Sequence, residues 1–301
     1  MKSAIIVAAL ALSQPALGQG SGDSLRVASD KTAGGFVFPE SCGYHAGTKA
    51  LYVGNFGGAK LDPAAKDGQG YISKVGLDGK LLEQKFLPAA GGEALNKPKG
   101  IWIQGNRLWV TDIDAVWLFD LKSKKGRKLA LPGVGFANDP AVAGKTLYVS
   151  DNRNDKLVKV EPADFLNAKK EPTVSEVFSG ASVNPNGLYP ARSGMLYMVG
   201  FLAADKPKAI FALGVSGQIK QISDPIGRLD GIYEMKDGSL LFTDWNTGSL
   251  SRWSEKGGVQ KLADGFKGPA DFCVVPGAGG TMTVVVPDLP QSQLRFIQLT
   301  R

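Results

Sequence analysis

The chain is poor in soft metal ligands: among 301 residues there is one histidine, His45, and two cysteines, Cys42 and Cys273. A zinc site of the usual type is thereby excluded for want of donors, and any metal chemistry must rest on oxygen ligands. Helical periodicity is almost absent, and only residues 162–168 read as a single helical turn. Long apolar runs are missing as well. Beyond the amino terminus nothing approaches the roughly 18 apolar residues of a membrane helix, so a soluble protein is expected. Turn formers are abundant instead, with 39 glycines and 17 prolines in a chain that is 43 % hydrophobic. Short alternating apolar runs bounded by Asp78-Gly79, Ser216-Gly217 and Asp237-Gly238 read as strands joined by tight turns.

The net charge of +7 does not imply a nucleic-acid partner, because the basic residues are scattered over turns and seldom alternate with exposed aromatics. Their densest cluster, Lys122, Lys124, Lys125, Arg127 and Lys128, falls on an expected hairpin tip. At the amino terminus Lys2 precedes the apolar stretch 4–12, and Ala16-Leu17-Gly18 supplies small residues before Gln19. This is the pattern of a secretory signal over residues 1–18. No cysteine closely follows it, so no lipid or other membrane anchor is expected, and a periplasmic or secreted location is.

A sentence repeats through the remainder. Leu51-Tyr52-Val53-Gly54-Asn55, Leu108-Trp109-Val110-Thr111-Asp112, Leu147-Tyr148-Val149-Ser150-Asp151, Leu196-Tyr197-Met198-Val199-Gly200, Leu240-Leu241-Phe242-Thr243-Asp244 and, more weakly, Met282–Val286 begin 57, 39, 49, 44 and 42 residues apart. That spacing suits four-stranded propeller blades. The expectation is an all-β, six-bladed propeller over residues 19–301. Its last blade has room for three strands and is completed by an early strand over residues 25–29. Upstream of the repeats, at offsets of 8 to 11 residues, stand Glu40, Asp139, Asn186, Asp230 and Asp271. The second copy breaks the pattern with Lys97-Pro98-Lys99-Gly100. The first strand of each propeller blade lines the central channel, so these positions should converge on one axis. Taken singly, Asn186-Gly187 and Asp230-Gly231 also read as turns and Pro39-Glu40 as a solvated strand start. The shared register favours a polar ring.

Glu40, Asn186 and Asp230, with Asn138 or Asp139 as a fourth contributor, offer the oxygen donors a hard cation such as calcium takes. Cys42 and Cys273 each lie two residues past a ring position, in the first and last copies. A disulfide and two buried thiols are both compatible with that register. The five tryptophans, including Trp245, read as packing between blades, and residues 57–70 as a long loop that could cover a channel mouth.

Phe38-Pro39-Glu40, Phe136-Ala137-Asn138-Asp139, Asn184-Pro185-Asn186-Gly187-Leu188 and Leu229-Asp230-Gly231-Ile232 together resemble the senescence-marker-protein/gluconolactonase (regucalcin-like) family over roughly residues 25–300. The resemblance implies a six-bladed propeller and a divalent cation, expected to be calcium, held by Glu40, Asn186 and Asp230 with Asn138 beside the metal or the substrate. It also implies hydrolysis of a lactone or ester, with Asp230 as general base. Phe136 stands where lactonase members often carry an arginine. The expected function is an exported metal-dependent lactonase or esterase acting on a small molecule, with Asp230 or Asp139 accepting the proton. Asn138, Phe136 and Tyr44 are the expected substrate contacts, and the aromatics favour a substrate less polar than a sugar acid. The alternative is a non-enzymatic binding propeller with a structural metal.

Overall fold

The computed structural model describes residues 25–301; the expected signal segment lies outside the described residues. Strand β1 (Arg26–Ala33) is followed by six repeats of the same antiparallel meander. The first blade holds β2 (Pro39–His45), β3 (Ala50–Asn55), β4 (Tyr71–Gly76) and β5 (Leu81–Leu87), and the second β6 (Pro98–Gln104), β7 (Arg107–Asp112), β8 (Ala115–Asp120) and β9 (Gly126–Ala130). The third holds β10 (Ala137–Ala143), β11 (Thr146–Asp151), β12 (Lys156–Glu161) and β13 (Thr173–Ser179), and the fourth β14 (Pro185–Pro190), β15 (Leu196–Gly200), β16 (Ile210–Leu213) and β17 (Ile219–Gln221). The fifth comprises β18 (Leu229–Glu234), β19 (Leu240–Asp244), β20 (Ser249–Ser254) and β21 (Gly258–Ala263). The sixth has β22 (Cys273–Pro276), β23 (Met282–Asp288) and β24 (Gln293–Thr300), with β1 antiparallel to β24 as its outermost strand.

The protein is thus a six-bladed propeller whose last blade is closed by the early strand, which runs on to Ala33, beyond the expected residue 29. Residues 162–168 form turns, not a helix; the helical turns described are the 3-10 segments Ala278–Gly280 and Leu289–Gln291. Apolar side chains of the strands and of the residues flanking them fill the spaces between neighbouring sheets. Leu241, Met235, Phe272 and Val284 join blades five and six, and Leu147, Val149, Val116 and Leu118 join blades two and three. Cys42 and Cys273 form a disulfide with their Cα atoms 5.4 Å apart, stitching the inner strands β2 and β22 at the seam where the ring closes.

The repeated sequence now has a physical explanation. The hydroxyl in the penultimate position of the landmark reaches across to the next blade: Thr111 donates to the Asn138 carbonyl, Ser150 to that of Asn186 at 2.6 Å, and Thr243 to that of Ala270 at 3.0 Å. The final acid caps the loop entering its own blade. Asp112 accepts from the Lys97 backbone N–H at 2.7 Å, Asp151 from Gly135 at 2.9 Å and Asp244 from Arg228 at 3.0 Å. Blade four has Val199 and Gly200 at these two positions, and there the following loop, with Phe201 and Leu202, turns into the central cavity.

Candidate metal centre and central cavity

In five inner strands the pairing register slips at the ring position: between Pro39 and Ser41, Pro98 and Ile101, Ala137 and Pro140, Pro185 and Leu188, and Leu229 and Ile232. A bulge frees residues from the ladder and re-aims their side chains. The residues so freed are Glu40, Lys99, Asn138 with Asp139, Asn186 and Asp230. The glycines beside them serve close approach. A Cβ on Gly187 would come within 2.1 Å of the Asp230 carbonyl oxygen, and one on Gly231 within 2.6 Å of Asp271 Oδ1.

Glu40, Asn138, Asn186 and Asp230 line one cavity of about 550 Å³, with Phe136 in its wall. Its remaining wall includes Phe56, Phe201, Trp245 and, from the long loop of blade one, Leu61 and Pro63. Tyr44 and Asp139 do not border it. They line a second cavity of about 190 Å³, together with Asp271, where the Leu188 N–H donates to Asp139 Oδ2 at 2.7 Å. His45 is buried against Thr48, 2.8 Å from Nδ1 to the hydroxyl, away from both cavities.

The donor chemistry of the larger cavity fits a hard cation. Glu40 Oε2, Asn186 Oδ1 and Asp230 Oδ1 are buried and have no hydrogen-bond partner, and Asn152 Oδ1 is in the same condition. Buried polar atoms are ordinarily paired, so oxygens orphaned together mark the place of a ligand that accepts their lone pairs. No group of three His, Cys, Asp or Glu suited to a metal occurs among the described residues, so a cation here must draw on amide oxygens as well as carboxylates. The other Asp230 oxygen, Oδ2, accepts the Trp245 indole N–H at 2.8 Å, and the Asn186 amide donates to the Leu229 carbonyl at 3.3 Å, which turns each remaining oxygen free.

The electrostatics follow from burial. Desolvation pushes Glu40 well above the usual carboxylate range, aided by the charges of Asp230 and Asp271 and opposed by Lys99. Burial raises Asp230 to about 7 against the Trp245 hydrogen bond and the Arg228 charge. Burial and Asp271 hold Asp139 high, and burial with Asp230 does the same for Asp271. Burial lowers the Lys99 ammonium to about 8, against the attraction of Glu40.

Lys99, Arg153, Arg228, Asn152 and Trp245 in this cavity were not foreseen as site residues. Lys99 carried a signal, since it occupies the ring register of the second copy. Arg228 carried another, because it precedes Asp230 by two residues, as Phe136 precedes Asn138. Arg153 comes from the turn after β11 and stacks on Phe136 with its guanidinium carbon 3.7 Å from the ring centroid, so an arginine reaches this mouth from a neighbouring turn.

Fold and site together define a six-bladed propeller with a polar, cation-competent pocket on its axis. No family model and no curated protein matches the chain. Solved structures share the fold. A gluconolactonase-like protein superposes with a TM-score of 0.63 at 16 % identity, over 92 % of this chain and 98 % of that one. Regucalcin from Agrobacterium tumefaciens, a calcium-binding protein, gives 0.60 at 14 % identity over 88 % and 91 %. Virginiamycin B lyase from Staphylococcus aureus, in a complex with quinupristin, gives 0.58 at 16 % identity over 91 % and 100 %.

Proposed function

We propose that the chain is an exported, calcium-dependent hydrolase of a lactone or ester, with the larger cavity as its active site. The observation that carries this reading is the group of orphaned buried oxygens Glu40 Oε2, Asn186 Oδ1 and Asp230 Oδ1 at one cavity. The calcium-binding and gluconolactonase-like proteins of the same fold support the choice of ion and of reaction. Export agrees with the amino-terminal pattern and with a disulfide, which persists in oxidising compartments.

Glu40, Asn186 and Asp230 would hold the cation, with Asn138 beside it. When bound, such an ion supplies Lewis acidity toward a substrate carbonyl. The chain's own groups do the rest. Asp230, fixed through Oδ2 by Trp245, takes the proton of the attacking water as the water oxygen joins the carbonyl carbon. The Lys99 ammonium, buried in the cavity wall, faces the negative charge that develops on the carbonyl oxygen. The carbon–oxygen bond of the ester then breaks, and the proton held by Asp230 passes to the departing alkoxide. Phe56, Phe136 and Phe201 exclude bulk water.

The test measures bound metal and hydrolysis of a sugar lactone and an aromatic ester on one purified sample, before and after chelation. Turnover lost on chelation and restored by calcium is expected. Bound metal without turnover of either ester would move the protein to a non-catalytic binding propeller, and no bound metal would remove the site altogether.

A further inference from the structure

The larger cavity holds two arginines that form no ion pair among the described residues. Elsewhere Arg107, Arg127, Arg192, Arg252 and Arg295 are each paired with a carboxylate. Arg153 and Arg228, both lining the cavity, face none within ion-pair distance among the described residues. They lie instead on aromatic faces. The Arg228 guanidinium carbon is 4.5 Å from the Phe201 ring centroid and 5.8 Å from that of Trp245, and Arg228 Nε is buried without a hydrogen-bond partner. Lys99, 1 % exposed, reaches only the Lys97 carbonyl at 3.4 Å and sits 4.3 Å from the Phe136 centroid.

Stacking holds a guanidinium flat and in place while leaving its N–H edge free, and that planar fork matches a carboxylate. Arg153 is exposed at the mouth, whereas the buried Arg228 Nε–H with no acceptor is costly unless a ligand supplies one. Beside these arginines the wall carries Phe56, Phe136, Phe201, Leu202 and Trp245, a surface against which an anion with an apolar body can pack. We propose that the ligand of this cavity is an organic acid, a carboxylate joined to an apolar or aromatic body, whose carboxylate is anchored by Arg153 and Arg228. A hydrolysable substrate would then bear this carboxylate in addition to its ester or lactone carbonyl. The assignment rests on the cavity being the ligand site, but it does not depend on hydrolysis.

Titration calorimetry on the full protein, treated with a chelating resin so that no bound cation contributes, tests this with phenylacetate against neutral phenylacetamide. The acid should bind at least about tenfold more tightly, with an affinity that falls as salt rises. Arg153→Gln and Arg228→Gln should each weaken phenylacetate by about tenfold and leave phenylacetamide unchanged, while Arg153→Lys, which keeps charge without the fork, falls between. Unchanged melting temperatures show that the variants fold. No measurable binding of the acid, equal binding of acid and amide, or indifference to both glutamine variants would overturn the proposal. Phenyl phosphate binding more tightly than phenylacetate would overturn the carboxylate assignment. Because the readout is binding, an absence of ester turnover defeats the hydrolase reading without touching this one.

Discussion

Replacing Asp230 by asparagine retains an acceptor for the Trp245 indole and removes the proposed base, so turnover should fall by about 10²- to 10⁴-fold while the melting temperature is kept. Lys99→Met removes the buried charge that the proposed mechanism sets toward the carbonyl oxygen and should lower kcat by about 10²-fold with a smaller effect on KM, measured with the same ester. At this scale the axial acceptors were legible in the sequence because each sits at a near-constant distance from an easily recognised run. Lys99 broke the chemistry of that pattern while keeping its register, and its meaning appears only once the bulge turns it to the axis. Arg153, Phe201 and Leu202 come from loops whose direction no periodicity fixes. Trp245 read as packing, and half of it is; the indole N–H is committed to Asp230.

The strands, their order and the completion of the sixth blade were also legible, since period-2 apolar runs and turn dipeptides recur in every blade. The hydroxyl–acid pair that ends three of the landmarks, Thr111-Asp112, Ser150-Asp151 and Thr243-Asp244, carried a second meaning that spacing alone does not reveal. Its hydroxyl ties one blade to the next, and its acid organises the loop that leads to the ring position. Thr111→Val and Thr243→Val each leave a buried carbonyl without its donor, at Asn138 and Ala270, and should each cost about 1–3 kcal/mol in urea unfolding. Thr111→Val should also perturb cation affinity, because the carbonyl it releases belongs to Asn138 in the cavity wall.

For the molecule as a whole, the seam between the first and last blades is closed covalently by the Cys42–Cys273 disulfide. The disulfide encloses 231 residues of chain, and its removal by Cys42→Ser with Cys273→Ser should cost about 5 kcal/mol if the entropic account holds, read as a lowered denaturant midpoint. The axial carboxylates set a pH dependence. Glu40, Asp139, Asp230 and Asp271 all titrate above the ordinary carboxylate range in the folded chain, so the fold binds their protons more tightly than the unfolded state does. Without cation, stability is greatest below about pH 4 as far as these groups are concerned and declines as pH rises through the ordinary range toward 7. A bound cation relieves that repulsion, so the rise in melting temperature on adding calcium should be larger at about pH 8 than at about pH 5.

The pairing of β1 with β24 sets Arg26 opposite Thr300, nearly the full length of the described chain away. β1 therefore waits for β24, and the sixth blade is complete only when both are present. Long-range pairings of this kind carry high contact order and slow folding. Under the export proposed above, with the chain threading amino end first, the same delay would keep the ring open during transit and lock the finished shape only once β24 has arrived.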